Sequence, residues 1–359
     1  MGIGGAERVV ALLANAWASR GDQVTLMPTY SGGGDCFYKL SPDIRLEFLA
    51  DQVSSQKRTL SNRLARLCAL RRFVAALRPG VIVSVLSNVN VAALLASAGL
   101  RIPVIVCERI DPFVMPTPLL LRMARHCTYR FADALMVQTH AVAAKCATSG
   151  WTLRRLDVIP NPIPPWVLDI RRRDPSEEQK RLLSIGRLDE QKQFSLLVRV
   201  FADVAGRCPE WSLRIVGEGP LRSALQRQIT ELGVADRVEM PGPTEAVGVE
   251  LAEADAFVLT SRYEGFPNAL LEAMAAGLPC ATFDCPSGPR EISMDGQVAL
   301  LVPPDDEPAL GRALMRLMSD ESLRQDLGNR AQASVLERYS LDRVMAQWDS
   351  LFEVLGVRR

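Results

Sequence analysis

Residues 256–284 read AFVLTSRYEGFPNALLEAMAAGLPCATFD. The apolar run at 256–261 predicts a strand, and Gly265, Pro267 and Asn268 predict a turn. Residues 268–277 predict a helix closed by Gly277 and Pro279, and CATFD at 280–284 predicts a second strand. A strand, a helix and a strand in so short a span form a crossover unit, which joins parallel strands.

The same alternation runs outward in both directions. Downstream of a stiff, proline-rich segment, NPIPPW at 161–166, strands are expected at 181–188, 212–219 and 237–242, with helices at 193–207, 220–232 and 244–253. Upstream, strands are expected at 23–28, 81–86, 103–108, 134–139 and 156–160, and helices at 5–19, 57–78, 117–131 and 140–148. The expected fold class is α/β, with two Rossmann-like domains whose parallel sheets face across a cleft. The expected division is 1–162, 163–340 and a terminal helix at 341–359 packing back toward the first domain through Trp348, Leu351 and Phe352. A Rossmann-like domain should open on a strand, whereas this sequence begins MGIGGAERV, already at the glycine turn. The first strand is missing from the reading, which favours a true start further upstream.

Composition narrows the function. The chain has 359 residues, 23% of them charged, and a net charge of +1 that hides an asymmetry. The first 165 residues carry 19 Lys and Arg against 10 Asp and Glu; the remainder carries 23 against 31. A basic half suits an anionic lipid or a pyrophosphate. Nucleic acid is not expected, because no aromatic-basic interleaving accompanies the charge. Eight scattered cysteines with no CxxC pair suggest buried free thiols in a reducing compartment, and two histidines exclude a His-rich metal site. The 22 uncharged residues between Arg78 and Arg101 are broken by Pro79-Gly80, Asn88 and Asn90, so they read as a buried strand and helix and not as a membrane span.

Several stretches carry chemistry. The turn before the 268–277 helix presents free backbone N–H groups and a positive dipole end, which suit a diphosphate. Glu272, one turn into that helix, can accept from ribose hydroxyls, and Glu264 in the loop can face a sugar ring. The plain alternative is a capped helix with two solvated glutamates. In SIGRLDEQKQ (184–193), Arg187 and Lys192 follow a strand end and can neutralise a diphosphate without a metal; surface cations are the alternative. IVGEGPLRSAL (215–225) and PGPTEAV (241–247) can line a nucleotide base through the backbone. Gly4 and Gly5 allow close approach of a phosphate or an acceptor sugar, or merely open a helix. Helix 57–78 carries Lys57, Arg58, Arg63, Arg66, Arg71, Arg72 and Arg78 around an apolar stripe of Leu60, Leu64, Leu67, Leu70, Phe73 and Leu77. No acidic residue occurs from Gln52 through Cys107, so this helix is expected on an anionic membrane surface; the alternative is a domain helix with its stripe in the core and its arginines in water.

Together, GGAERV, IPNPI, SIGRLDEQK, IVGEGPLR, SRYEGFPNALLEAMAAGLP, SGPREI and LVPPDD resemble glycosyltransferase family four, the retaining GT-B enzymes. GGAER, FYKL and CERIDP look most like bacterial enzymes that build polysaccharide or glycan on polyprenyl pyrophosphate, among them N-acetylgalactosaminyltransferases of bacterial N-glycan assembly. The resemblance implies that Arg187 and Lys192 hold the donor diphosphate, that Glu264 contacts the donor sugar and that Glu272 binds the ribose. The backbone of Gly265, Phe266, Pro267 and Asn268 would meet phosphate and sugar, with Gly4 and Gly5 among the donor-binding residues at the border of the donor–acceptor cleft. Arg109 stands where many relatives carry histidine, which makes Arg109 and Asp111 acceptor-side candidates. The implied activity is transfer of a hexosyl residue, or an N-acetylhexosaminyl residue, from a UDP-sugar to a polyprenyl-linked saccharide, giving an α linkage. No cofactor or metal is expected, and the expected location is the inner face of the cytoplasmic membrane, as a peripheral protein. A sugar-nucleotide epimerase and a non-catalytic sugar-nucleotide-binding subunit are the alternatives.

Overall fold

All strand pairings among the described residues are parallel, as a chain that alternates strands with helices requires. The computed structural model describes residues 4–29, 36–53, 60–115, 117–172 and 179–357. The chain divides into two units, one of Met1–Asn161 with Val344–Arg359 and one of Pro162–Arg343.

The first unit begins with helix α1 (Gly5–Ser19), followed by β1 (Thr25–Leu26) and β2 (Arg45–Leu46), which pair as a separate two-stranded sheet. Helix α2 (Leu60–Leu77), β3 (Ile82–Val85), α3 (Ser87–Ser97), β4 (Val104–Cys107), α4 (Leu119–Thr128), β5 (Ala134–Val137), α5 (His140–Thr148) and β6 (Leu156–Val158) complete it, with sheet order β3-β4-β5-β6. Every residue of β4 and β5 is buried, which is why both read as unbroken apolar runs. Burial pushes the Cys107 thiol up to about 12, leaving it an inert packing group. The strand expected at 23–28 contracts to Thr25–Leu26, where it meets a single partner strand, and stops before Pro28, which cannot donate to a ladder.

Helix α2 departs from the expected stripe. Leu70 and Val74 are the buried positions, packed with Leu49 and Ala96, while Leu64 is 58% exposed and Leu77 also faces solvent. Arg71 Nη1 donates to the carbonyls of Ala96 (2.9 Å) and Ala98 (2.7 Å), so it closes the C-terminus of α3 instead of standing free in water. Lys57 and Arg58 lie outside the described residues.

In the second unit, β7 (Lys180–Ile185), α6 (Phe194–Ala205), β8 (Trp211–Val216), α7 (Arg222–Glu231), β9 (Val238–Gly242), α8 (Val247–Ala252), β10 (Ala256–Leu259), α9 (Asn268–Ala275), β11 (Cys280–Phe283), α10 (Pro289–Ile292) and β12 (Leu300–Val302) form a six-stranded sheet, order β12-β11-β10-β7-β8-β9. Leu182 and Leu183, neighbours in β7, enter opposite cores. One lies with Phe201, Trp211 and Leu314, the other with Phe257, Leu271 and Met274. Two features were not read from sequence, the three-residue β12 and the four-residue α10. α9 ends as expected. Gly277 takes φ +77°, Leu278 N donates to Ala273 O (3.0 Å) and Gly277 N to Met274 O (3.0 Å), the paired bonds of a Schellman turn.

Helices α11 (Glu307–Ser319), α12 (Glu321–Tyr339) and α13 (Leu341–Val354) end the chain. In α13, Trp348 is fully buried and stands edge-on to Trp17 of α1, with ring centroids 5.5 Å apart. Phe352 lies 5.7 Å from the same indole, and Arg20 bonds Asp349 at 3.0 Å. Emptying this site removes a large apolar group from the first unit alone. Trp348→Ala should cost about 3–5 kcal/mol. Hydrogen exchange should show protection lost in α1 and retained in β7.

Candidate functional site

The second sheet has β7 at its centre, with β8 on one side and β10 on the other. The strand order therefore reverses between β7 and β10, and the region beyond the C-terminal ends of strands at such a reversal is where α/β proteins bind ligands. The loop after β7 carries Arg187 and Lys192; the loop after β10 carries Glu264 and leads into α9.

These loops are stitched together. Arg262 N donates to Gln191 O (2.8 Å), Gln191 Nε2 to Tyr263 O (2.8 Å), and Thr260 Oγ1 to Lys192 O (2.9 Å). The result is an ion pair, Lys192 Nζ to Glu264 Oε1 at 2.6 Å. Ser261 Oγ donates to the same carboxylate oxygen at 2.6 Å. Behind it, Glu264 N donates to Pro286 O (2.6 Å) and Ser287 N to Glu264 O (3.0 Å), so the loop after β11 fixes the glutamate's backbone. Glu264 and Glu272 are both buried, which rules out the reading of two solvated glutamates.

The glycines explain how the loops come so close. A Cβ on Gly217 would lie 1.9 Å from Gly186 O, and one on Gly219 would lie 2.3 Å from Leu188 O. The IVGEG turn thus serves contact with the neighbouring loop. A Cβ on Gly288, at φ +105°, would lie 2.6 Å from Pro267 Cδ, so SGPREI packs directly under the start of α9. Phe266 is buried and turns inward onto Tyr339 (centroids 5.5 Å apart).

The expected pair of cations is not gathered. Arg187 has a side chain 73% exposed, with Nε 3.8 Å from Asp189 Oδ2, whereas Lys192 is half-buried and bonded to Glu264. Gly4 lies in the other unit. Its N–H and carbonyl both bond Tyr38 Oη (3.2 and 2.9 Å), and a Cβ there would meet Glu7 Oε2 at 2.2 Å. Gly4 is thus engaged by its own unit, and Gly5 starts α1.

Arg109 and Asp111 line a second pocket, of about 250 Å³, within the first unit. It opens at the C-terminal ends of β3 and β4. Asp111 is fully buried and bonds Lys145 Nζ (2.6 Å) and Phe113 N (2.9 Å). Arg109 Nη1 donates to Asn161 Oδ1 (2.8 Å), while its buried Nε has no partner among the described residues. Burial lowers the Arg109 pKa below the usual guanidinium range. Sequence reading missed the pocket's polar network. Glu108 accepts from Ser87 Oγ (2.8 Å) and from Tyr129 Oη, with Arg125 Nη1 at 3.8 Å, and burial raises its pKa above the usual carboxylate range. Asn90 Nδ2 donates to Tyr129 Oη (3.1 Å). Among the described residues, no three His, Cys, Asp or Glu side chains gather as metal ligands.

Two measurements test these networks. A double-mutant cycle on Lys192→Met and Glu264→Gln should give a coupling of about 1–3 kcal/mol in unfolding experiments; a value near zero means the pair is not formed. Tyr129→Phe deprives buried Glu108 and Asn90 of a partner and should cost about 1–3 kcal/mol by denaturant titration.

Comparison with known proteins assigns the fold and class. Residues 168–334 match the family described as glycosyl transferases group 1, and residues 4–162 match the glycosyl transferase 4-like domain. An exopolysaccharide phosphotransferase of Streptomyces coelicolor is 38% identical over 67% of this chain, which spans 25% of that protein's length. A Campylobacter jejuni α-1,4-N-acetyl-D-galactosaminyltransferase, named for a GalNAc-bearing diNAcBac-PP-undecaprenol substrate, is 27% identical over 96% of this chain and 94% of its own. The solved structure of Anabaena HepE with UDP and glucose superposes with a TM-score of 0.79 at 18% identity, covering 98% of this chain and 96% of that one. The chain belongs to the GT4-like, group 1 glycosyltransferases and has their GT-B fold.

Proposed function

We propose that this glycosyltransferase moves a hexosyl residue, or an N-acetylhexosaminyl residue, from a UDP-sugar to a polyprenyl-pyrophosphate-linked saccharide, with retention and an α linkage, in cell-surface glycan assembly. The observation that carries the proposal is the Lys192–Glu264 pair, fixed at 2.6 Å beside the start of α9 at the sheet's reversal point. The substrate printed in the Campylobacter relative's name supports the acceptor class, and the UDP in the HepE structure supports the nucleotide.

In this reading the departing diphosphate meets three positive groups, namely the α9 N-terminus, Lys192 and the exposed Arg187 drawn in from solvent. These preorganised groups stabilise charge as the C1–O bond breaks, which is work a metal would otherwise do. Glu272 accepts from ribose hydroxyls. Glu264, oriented by Lys192 and Ser261, contacts the donor sugar. The acceptor hydroxyl attacks from the face the diphosphate leaves, and a leaving phosphate oxygen takes its proton. The pocket of Arg109, Asp111 and Glu108 receives the acceptor. The uncompensated arginines of α2 draw the enzyme toward an anionic membrane at its cytoplasmic face.

Lys192→Ala should lower kcat about 100-fold, roughly 3 kcal/mol, in an assay with UDP-sugar and lipid-linked acceptor. Glu272→Ala should abolish transfer and UDP binding in calorimetry while leaving the melting profile intact. Turnover of the UDP-sugar without acceptor, or full activity in Glu272→Ala, contradicts the proposal.

A further inference from the structure

Helix α4 is built inside out. Its buried residues are Arg125 and Thr128, while Leu119, Leu120 and Met123 are 68%, 75% and 57% exposed. An amphipathic helix in a water-soluble protein turns its leucines to the core. Here the inward face is polar because it serves the pocket. Arg125 reaches Glu108 and Ser87, Arg125 Nη2 donates to Pro112 O (3.3 Å), and Thr128 Oγ1 donates to Ala124 O (2.7 Å). The outward face is left with the apolar side chains.

The surroundings of that face identify what covers it. Exposed Met115 precedes the helix and exposed Phe131 follows it, widening the apolar patch. Arg122 and Arg130 are exposed at its margin, and Arg130 lies over the Phe131 ring at 4.8 Å. From Pro112 to Ala132 the sequence contains no acidic residue. An apolar patch rimmed by cations, in a half of the chain with excess positive charge, complements an anionic bilayer. The leucines enter the acyl boundary while the arginines stay at the phosphates. Helix α3 packs against both α2 and α4, so the basic surface of α2 belongs to the same layer.

We propose that the outer face of α4, Leu119, Leu120 and Met123 with Arg122 and Arg130, inserts at the surface of an anionic bilayer. Because Leu121 and Arg125 of the same helix line the pocket of Arg109 and Asp111, docking sets that pocket at headgroup level. Helix α2 contributes long-range attraction, and α4 makes the insertion. This assignment does not depend on which nucleotide the donor carries.

Co-sedimentation with vesicles tests it, using phosphatidylcholine alone and an equimolar mixture with phosphatidylglycerol. The wild type should bind the mixed vesicles and not the neutral ones. The combined variant Leu119→Ser, Leu120→Ser and Met123→Ser should bind about tenfold or more weakly at both low and high salt. Arg63→Glu with Arg72→Glu in α2 should weaken binding at low salt only. UDP calorimetry on each variant reads the donor site separately and should be unchanged, which also shows that the second unit is folded. Far-ultraviolet circular dichroism checks the first. Wild-type binding by the triple serine variant overturns the proposal. So does a wild-type dimer in analytical ultracentrifugation that the triple variant converts to monomer, because a second copy would then be what covers α4.

Discussion

A lysine and a glutamate from two different loops meet at 2.6 Å at the point where the second sheet reverses its strand order. The rest of the site depends on this contact. Neither charge is comfortable alone at such burial, and together they are neutral, so the folded chain can hold both without a ligand. Ser261 and the backbone bonds of Gln191, Thr260 and Arg262 hold them in register. Gly217 and Gly219 are required because the loops touch backbone to backbone, leaving no room for a Cβ. The pair is also a reserve of charge. In the proposed reading, an arriving diphosphate competes with Glu264 for Lys192, and the glutamate becomes available to a sugar hydroxyl.

The fold class was legible because its signals are local. Apolar runs at β4, β5 and β10 are buried on both faces, and buried parallel strands carry no alternation that could be mistaken for something else. The Gly277 cap was readable for the same reason, since a left-handed residue after a helix wants glycine. The least legible strands were very short ones: β2 has two residues and β12 three, and neither shows a pattern, while the strand expected at 23–28 shrank to the two residues of β1.

The candidate site was legible as motifs and not as geometry. Lys192 and Glu264 are far apart in sequence, and no spacing rule gives their contact; sheet order does. Arg187 and Lys192 lie on one loop, yet the structure leaves one in solvent and ties the other down. Glu108 sat inside a quoted motif, CERIDP, but its partners Ser87, Arg125 and Tyr129 come from three other segments. Helix α2 illustrates the opposite error. Its leucines were assigned to one stripe, but contact with α3 is made through Leu70 and Val74, and Arg71 is spent on carbonyls of α3. In α4 a polar interior and an apolar exterior have one cause. The pocket needs Arg125 facing inward, and a helix that turns its arginine in must turn its leucines out.

The central claim is that a nucleotide diphosphate docks where the Lys192–Glu264 pair adjoins the start of α9. A crystal structure of the enzyme soaked with UDP tests it most directly. The account places the β-phosphate within hydrogen-bond reach of Lys192 Nζ and the first backbone amides of α9, with the ribose on Glu272. A nucleotide bound elsewhere, with Lys192 and Glu264 still paired and untouched, would contradict it.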